Sequence, residues 1–273
     1  MTHASPTRPR FDADAPPRPA SPTRLWRFLL RLSRFLVPMF CRVRIVGEPP
    51  HQTRTGPVIL VANHIGTFDP FVLIVACAKV GLAPRFLATR GIFNTPVVGT
   101  VMHGCGHIPV DRGKNTVTDA LHHAADALAD GACLLMYPEG KISLDPGLWP
   151  QRGKTGAARL ALSTKAPVVT VAQWGAHEVM AWQGAGTMAA NLVSALWRRP
   201  IVTVAFGDVI DFDDYDTTDP ASPKLATARI ISHCTKLLRT LRPNEPHQPR
   251  HIDVSRPLSV QHSVTDINEP DAS

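Results

Sequence analysis

The chain has 273 residues, 44% of them hydrophobic and 19% charged, a balance typical of a globular α/β or α+β protein with a sizeable core. Its formal net charge of +7 favours contact with anionic lipid, phosphorylated substrates or nucleic acid. Aromatic residues make up only 6% and are not interleaved with basic ones, so no nucleic-acid partner is expected. The five cysteines are widely spaced and form no C-x-x-C pair, which favours reduced thiols in a cytosolic compartment over a disulfide framework or a metal site.

Both ends of the chain differ in composition from its middle. Residues 1–22 contain six prolines and no apolar periodicity, which predicts a disordered arm, and they lack the apolar core of a signal peptide. Residues 243–273 are polar and interrupted by prolines, which predicts a disordered tail. A single domain is therefore expected over residues 23–242.

That domain opens with a basic amphipathic segment, for which a helix over residues 24–40 is predicted. Four arginines recur at the spacing of one helix face: Arg24, Arg27, Arg31 and Arg34. Apolar residues cover the rest of the helix surface, and residues 23–47 contain no acidic residue. The arginines interrupt the segment too often for a membrane span. A helix lying in the surface of an anionic bilayer is the favoured interpretation. The alternative is a helix that packs its apolar face on the domain and leaves the arginines in water.

Downstream, apolar strands alternate with helices. Strands are predicted at 58–63, 85–89, 132–138, 166–173 and 201–207, and helices at 68–80, 116–129, 156–164 and 224–241. Such alternation indicates an α/β fold with a mostly parallel sheet covered on both faces. The uncharged stretch 179–197 is too diluted by polar residues for a membrane span, and a buried helix is favoured over an interfacial or acyl-chain-lining segment.

Two motif-like stretches do not fit the chemistry that they suggest. In GLWPQRGKTG, five residues separate Gly147 from Gly153 where a P-loop has four, and a Trp-Pro pair stiffens the turn, so nucleotide hydrolysis is not expected. In HHAAD, one residue too few separates His122-His123 from Asp126 for an HHxxxD signature, and a solvent-facing helix surface is predicted.

The strongest local signal for chemistry is VILVANHIGTFDP, residues 58–70. A buried strand leads directly into His64, and Asp69 follows after four intervening residues, a spacing that lets the chain turn back to the imidazole. A carboxylate on one ring nitrogen fixes the tautomer and leaves the other nitrogen available to take a proton. Since no G-x-S-x-G nucleophile motif is present, the substrate is expected to supply the attacking hydroxyl. A helix cap or a core histidine is the non-catalytic alternative.

Two further segments fit the same site. YPEGKIS, residues 137–143, follows another buried strand, at the edge of a parallel sheet where ligands bind, and contains Glu139 and Gly140. GHIPVDR, residues 106–112, ends in Arg112, whose guanidinium suits a phosphate group. Taken singly, a Pro-Gly turn and an Asp-Arg pair are also common structural features.

Together, NHIGTFD, GHIPVDR, YPEGKIS and APVVTVA resemble, in this order, the four motif blocks of the glycerophospholipid acyltransferases, and most closely the bacterial 1-acylglycerol-3-phosphate acyltransferases. The resemblance covers about residues 40–240. It implies that His64 is the general base, that Asp69 orients it, and that Arg112, Glu139 and Gly140 contact the phosphorylated acceptor. It also implies an α/β sheet flanked by helices and an N-terminal element that binds the membrane.

The third block departs from the family pattern. Where the family usually has Glu-Gly-Thr-Arg-Ser, this chain has Glu-Gly-Lys-Ile-Ser, so Ile142 replaces the arginine that would hold phosphate and Lys141 offers a charge one position earlier. Arg152, Lys154 and the helix start beside them also suit a phosphate of the acceptor or of an acyl carrier. The alternative is that these residues only cap the helix.

The resemblance thus implies transfer of a fatty acyl group from acyl-CoA or acyl carrier protein to 1-acylglycerol-3-phosphate, with phosphatidic acid as product. No cofactor and no metal is expected, and the partners are membrane lipids, the lysophospholipid acceptor and the acyl donor. The location implied is the cytoplasmic face of the cell membrane, with peripheral attachment. Other lysolipid or glycolipid acceptors, and a non-catalytic lipid-binding role, stay open.

Overall fold

The computed structural model describes residues 20–111, 114–180, 185–245 and 251–263. Within these ranges, seven strands form one sheet in the order β1-β7-β6-β2-β5-β3-β4. The strands are β1 (Arg42–Val46), β2 (Val58–Ala62), β3 (Arg85–Thr89), β4 (Ile108–Val110), β5 (Cys133–Met136), β6 (Val168–Trp174) and β7 (Ile201–Ile210). Five neighbouring strands run parallel to one another: β6, β2, β5, β3 and β4. β7 is antiparallel to β6, and β1 is parallel to β7. The predicted α/β fold with a mostly parallel sheet is confirmed.

Helices cover both faces of this sheet. They are α1 (Arg24–Phe40), α2 (Gln52–Thr55), α3 (Asp69–Lys79), α4 (Arg90–Phe93), α5 (Val98–Gly104), α6 (Lys114–Ala129), α7 (Gly156–Thr164), α8 (Ala185–Arg198) and α9 (Ser222–Leu241). α1, α3 and α8 pack on one side, and α6, α7 and α9 on the other. The central strand β2 is buried along its whole length and alternates its side chains between the two sides: Leu60 packs toward α3, and Val61 toward α7 and α9.

The topology places a ligand-binding edge at the ends of β2 and β5. From β2 the chain passes through α3 to β3 on one side, whereas from β5 it passes through α7 to β6 on the other side of β2. Connections that leave adjacent strand ends in opposite directions open a crevice at the carboxyl edge of the sheet. The segments NHIGTFD and YPEGKIS follow these two strands.

The hydrophobic pattern did not predict the two edge strands, β1 and the three-residue β4. The sequence of β1 shows why. Its side chains alternate between exposed and half-buried, with Arg42 and Arg44 in solvent, because it lies at the edge of the sheet. Charged residues on an edge strand discourage pairing with another chain. A short edge strand of this composition lacks the continuous apolar run that identifies the buried strands.

Helix α1 has three faces rather than two. Trp26, Leu30 and Val37 are buried against the domain, and the arginines lie in solvent. A third, apolar face is exposed between them; its members are Leu25, Phe28, Phe35, Leu36 and Met39. α1 therefore packs on the domain and still leaves an apolar face uncovered, while its contact with a bilayer stays a prediction.

The uncharged stretch 179–197 does not form the buried helix that its composition predicts. Residues 181–184 lie outside the described part of the chain, and α8, which begins at Ala185, buries Ala195 while Trp197 is 77% exposed. The helix flanks α1 instead of entering the core: the Arg199 Nε donates to the Pro38 carbonyl oxygen at 3.0 Å. The absence of charge therefore marks an exposed apolar surface.

Part of the chain beyond α9 packs on the domain, within the residues 243–273 that were predicted to form a tail. Arg242 lies between two indole rings, with its guanidinium carbon 3.9 Å from the ring centre of Trp149 and 3.8 Å from that of Trp174. Residues 251–263 then return across the carboxyl edge of the sheet, where the Asp253 N–H donates to the Pro146 carbonyl. Buried ion pairs and hydrogen bonds, which composition does not reveal, hold this segment. The predicted boundaries of the arm and the domain stay predictions.

Candidate active site

His64 and Asp69 meet at the carboxyl end of β2, as their spacing predicts. The His64 Nδ1 lies 2.8 Å from Asp69 Oδ2, and the side chains are 16% and 0% exposed. The same carboxylate oxygen accepts the backbone N–H groups of Ile65 and Gly66 at 2.6 and 3.0 Å. Because these bonds hold the carboxylate at the start of α3, Nδ1 carries the proton that it donates to Asp69. The Nε2 is then an acceptor, and the Asp69 bond is the only hydrogen bond of the His64 ring among the described residues.

The ring of His64 is also held from one side. Tyr137, at the end of β5, stacks on it with ring centres 4.0 Å apart and planes 15° from parallel. Burial raises the pKa of the Tyr137 phenol well above its ordinary value, so this ring stays neutral beside the imidazole. Sequence reasoning named the segment YPEGKIS for its glutamate and glycine and missed this contact.

Glu139 lies inside the protein, at the loop that follows β5. It is 2% exposed, and its two carboxyl oxygens accept the backbone N–H groups of His64, at 3.2 Å, and Gln151, at 2.9 Å. Burial raises the pKa of this carboxyl to about 8, against the opposing effect of the two hydrogen bonds. The contacts of Glu139 therefore fix the backbone at His64.

Arg256 lies in the segment after α9 and connects the loop after β2, which contains His64, to the loop after β5, which contains Glu139. No sequence motif singled it out. Its guanidinium is 3% exposed and donates to the carbonyl oxygens of Ile65 and Ser143, the first of these at 2.7 Å. Asp253 holds the Nε at 2.9 Å. The Ser143 N–H in turn donates to the His64 carbonyl at 2.8 Å. One buried cation thus links the His64 loop to the loop that follows Glu139.

The residues predicted to meet a phosphate lie around Gly140. This glycine has a φ of +68°, a left-handed conformation that disfavours other residues, and a Cβ built on it would lie 3.3 Å from the Lys154 Cγ. Lys141, Arg152 and Lys154 are exposed in the same region, and the Lys154 N–H donates to the Pro138 carbonyl at 2.7 Å. The Thr155 side chain makes no capping hydrogen bond. Arg112 lies outside the described residues, and β4, which precedes it, ends on this edge of the sheet.

The other candidate groups are placed away from this chemistry. His122 and His123 are exposed on α6, as predicted. All five cysteines are unpaired, and burial raises the pKa of each thiol, to about 11 for Cys41 and about 12 for Cys77. A thiol with a raised pKa is a poor nucleophile. No group of three or more potential metal ligands occurs in the described ranges.

The chain is similar to several known acyltransferases. The family model described as "Acyltransferase" matches residues 42–174. A chloroplastic 1-acyl-sn-glycerol-3-phosphate acyltransferase of Brassica napus, BAT2, is 30% identical over 163 residues, covering 59% of this chain and 46% of its own. A lyso-ornithine lipid O-acyltransferase of Rhizobium meliloti is 25% identical over 216 residues, covering 72% of this chain and 71% of its own. The crystal structure of the 1-acyl-sn-glycerophosphate acyltransferase PlsC of Thermotoga maritima superposes with a TM-score of 0.56 and 16% identity, covering 82% of this chain and 83% of that one.

These matches differ in what they establish. At 16% identity the PlsC likeness shows the fold alone. The chain spans less than half the length of the BAT2 protein and of a similar Chlamydomonas reinhardtii acyltransferase, 46% and 41%. The family match covers just under half of the chain and includes both strands that lead into His64 and Glu139, so over this segment the chain is similar to the acyltransferase family.

Proposed function

We propose that this protein is an O-acyltransferase that moves a fatty acyl group from an acyl thioester to the free hydroxyl of a lysophospholipid, with 1-acylglycerol-3-phosphate as the acceptor. The observation that carries the proposal is the His64 imidazole, fixed by Asp69 on one nitrogen and unoccupied on the other. A base held in this way, with no activated serine or cysteine beside it among the described residues, suits a reaction whose nucleophile is the substrate's own hydroxyl.

The reaction follows from this geometry. His64 Nε2 accepts the hydroxyl proton while the acceptor oxygen attacks the thioester carbonyl carbon. Asp69 stabilises the imidazolium that forms, because its buried carboxylate lies on the other ring nitrogen. The tetrahedral intermediate then collapses, the C–S bond breaks, and the thiol leaves with the proton that His64 returns. An ester and a free thiol result, and no covalent enzyme intermediate is needed.

A panel of acceptors tests the proposal. Purified protein would be given one acyl-CoA and, in turn, 1-acylglycerol-3-phosphate, other lysophospholipids, lyso-ornithine lipid and a glycolipid, and thiol release would be followed. The panel includes acceptors without a phosphomonoester because Ile142 stands where the family usually has a phosphate-binding arginine. One relative is also named for lyso-ornithine lipid. Thiol release with 1-acylglycerol-3-phosphate above the other acceptors supports the proposal. Release with another acceptor alone identifies a different substrate, and no release with any leaves a lipid-binding role.

Lys154 tests the position of the acceptor phosphate. Its side chain is exposed beside Gly140, at the loop that follows β5, so a substrate phosphate near His64 would lie within its reach. Lys154→Ala is expected to raise the KM for acceptor or acyl donor about fivefold, the scale of an exposed charge pair. Lys224→Ala, which removes an exposed lysine from α9, serves as control. Unchanged KM values for both substrates in Lys154→Ala would show that the lysine has no such role.

Peripheral attachment to a membrane surface is the second part of the proposal. The exposed apolar face of α1 supports it, as does Trp197 on the neighbouring α8. Among the described helices, none is long and apolar enough to cross a bilayer. α1 ends close to the site: Phe40 contacts Phe68, the residue before Asp69, with ring centres 6.1 Å apart. An enzyme held on this face would meet both lipid substrates where they are concentrated.

Phe35→Glu is expected to weaken binding to vesicles of phosphatidylcholine and phosphatidylglycerol by about tenfold, because a fully buried Phe contributes about 1.5–3 kcal/mol. Phe35 is 75% exposed in the free protein, so the change does not disturb the core. Leu225→Glu, on the exposed side of α9, makes the matched change outside the proposed surface. Co-sedimentation with vesicles measures the difference, and equal binding of both variants would contradict attachment through α1.

A further inference from the structure

A basic cleft lies on the other side of the molecule from His64. It has a volume of about 870 Å³ and opens between α1, α2 and the turn from α3 to β3. Five of the described residues that line it are basic: Arg27, Arg31, Arg34, Arg54 and Lys79. None of the described residues that line the cleft is acidic. A cleft lined by charges of one sign concentrates the field and attracts ligands of the opposite sign.

The arginines of this cleft are available to a ligand. All four are exposed, and in the described ranges no carboxylate lies within ion-pair distance of any of them. Three project from successive turns of α1, and Arg54 faces them from α2. Guanidinium groups so arranged suit the oxygens of a phosphate, which they bind by paired hydrogen bonds.

The cleft also has an apolar part, which narrows the class of ligand. Leu30 and Leu82 line it and are buried, and Ala78, Val80 and Ala83 extend the apolar wall. On α1 the arginines adjoin the exposed apolar face: Phe28 follows Arg27, and Phe35 follows Arg34. A ligand that combines an anionic head with apolar chains would contact both surfaces, whereas a nucleic acid would leave the apolar one in water.

The position of the cleft separates it from the acceptor site. It is lined by Gly56, two residues before β2, and by Cys133, the first residue of β5, whereas His64 follows the last residue of β2. At about 3.3 Å per strand residue, the two ends of β2 place the cleft roughly 20 Å from His64. A lysophospholipid phosphate lies only a few bonds from its free hydroxyl. The acceptor under attack at His64 cannot reach the cleft with its own phosphate.

We propose that this cleft is a second lipid site, which binds the phosphate headgroup of an intact anionic phospholipid whose acyl chains lie along the exposed face of α1. Such a lipid is not turned over there. It fixes one end of α1 to the bilayer, while the other end of the helix stays beside the acceptor site. The inference goes beyond acyl transfer and does not depend on it.

The experiment uses dihexanoyl phosphatidylglycerol below its micelle concentration, with binding followed by isothermal titration calorimetry. The variant Arg27→Gln/Arg31→Gln/Arg54→Gln removes three charges from the cleft. The control Arg24→Gln/Arg42→Gln/Arg44→Gln removes three exposed arginine charges that do not line it. Wild type is expected to bind one lipid saturably, the cleft variant about 100-fold more weakly, and the control within about twofold of wild type. Arg54→Gln alone, which leaves α1 intact, is expected to lose affinity in the same direction.

The outcomes separate the alternatives. Equal loss in the cleft variant and the control would show general attraction by net charge, and would overturn the site. If inorganic phosphate binds as tightly as the lipid, the cleft is a simple anion site. If a DNA oligonucleotide binds in a cleft-dependent way and the lipid does not, the partner is a nucleic acid. Either result overturns the proposal. His64→Ala should bind the lipid like wild type, so a failure of acyl transfer and a failure of this site are distinguishable.

Discussion

His64→Ala is expected to lower the kcat for acyl transfer by about 10²–10⁴, the usual contribution of a positioned general base. The loss should be this large because Asp69 fixes the His64 imidazole through Nδ1 and leaves Nε2 open to accept the proton of the hydroxyl. Without it, the acceptor hydroxyl would attack the thioester with its proton in place. The KM values should change little, because the imidazole accepts the proton in the transition state and contributes little to binding of the lipid.

Thiol release from acyl-CoA under saturating acceptor measures this effect. His122→Ala, at an exposed position of α6, is the matched control and should keep wild-type kcat. Asp69→Asn should lose part of the activity, because an amide at this position no longer accepts a hydrogen bond in the same way from Nδ1–H, Ile65 and Gly66 together. Retention of most activity in His64→Ala would refute the assignment of the base.

Arg256→Ala is expected to lower kcat by at least about tenfold, because it leaves the buried carbonyls of Ile65 and Ser143 without a donor, at about 1–3 kcal/mol for each unsatisfied group. Arg256 is a positioning residue, because its contacts are with the backbone of the two loops that carry His64 and Glu139. Arg256→Lys should retain more activity than the alanine variant, since an ammonium can bind one of the carbonyls but not both with the geometry of a guanidinium.

The readout separates positioning from general stability. A loosened His64 loop lowers kcat while the KM values stay within about threefold, whereas a purely structural loss lowers the amount of active protein without changing either constant. Arg229→Ala removes an ion pair with Asp214 at the surface of α9 and is the control for folding. Thermal unfolding of each variant gives the folded fraction. Wild-type kcat in folded Arg256→Lys and Arg256→Ala would show that residues 251–263 only cover the domain.

His64, Glu139 and Arg256 form one connected arrangement. Glu139 accepts from the His64 backbone, Ser143 donates to it, and Arg256 binds the carbonyls of the neighbouring Ile65 and of Ser143. Each contact restrains the backbone around the imidazole rather than the imidazole itself. This explains how a loop between a strand and a helix can hold a base with the precision that proton transfer requires.

The amino-acid sequence was sufficient for the features whose causes are local. Continuous apolar runs mark β2, β5 and β6 because a strand buried on both faces has no polar side, and the four residues between His64 and Asp69 allow the pair to close within a single turn. The contact between His64 and Asp69 and the parallel sheet were therefore predictable. The edge strand β1 was not, since half of its side chains meet water and its pattern is short.

Tertiary structure alone decided which surfaces and charges are covered. Glu139 accepts the backbone N–H groups of His64 and Gln151, because the strand order brings the β2 and β5 loops together. Arg256 meets Ile65 across 191 residues of sequence, a contact that no periodicity encodes. The exposed face of α1 likewise depends on which of its apolar residues the domain happens to bury. Composition and spacing determine which chemical groups a segment contains, whereas the fold determines which other groups they contact.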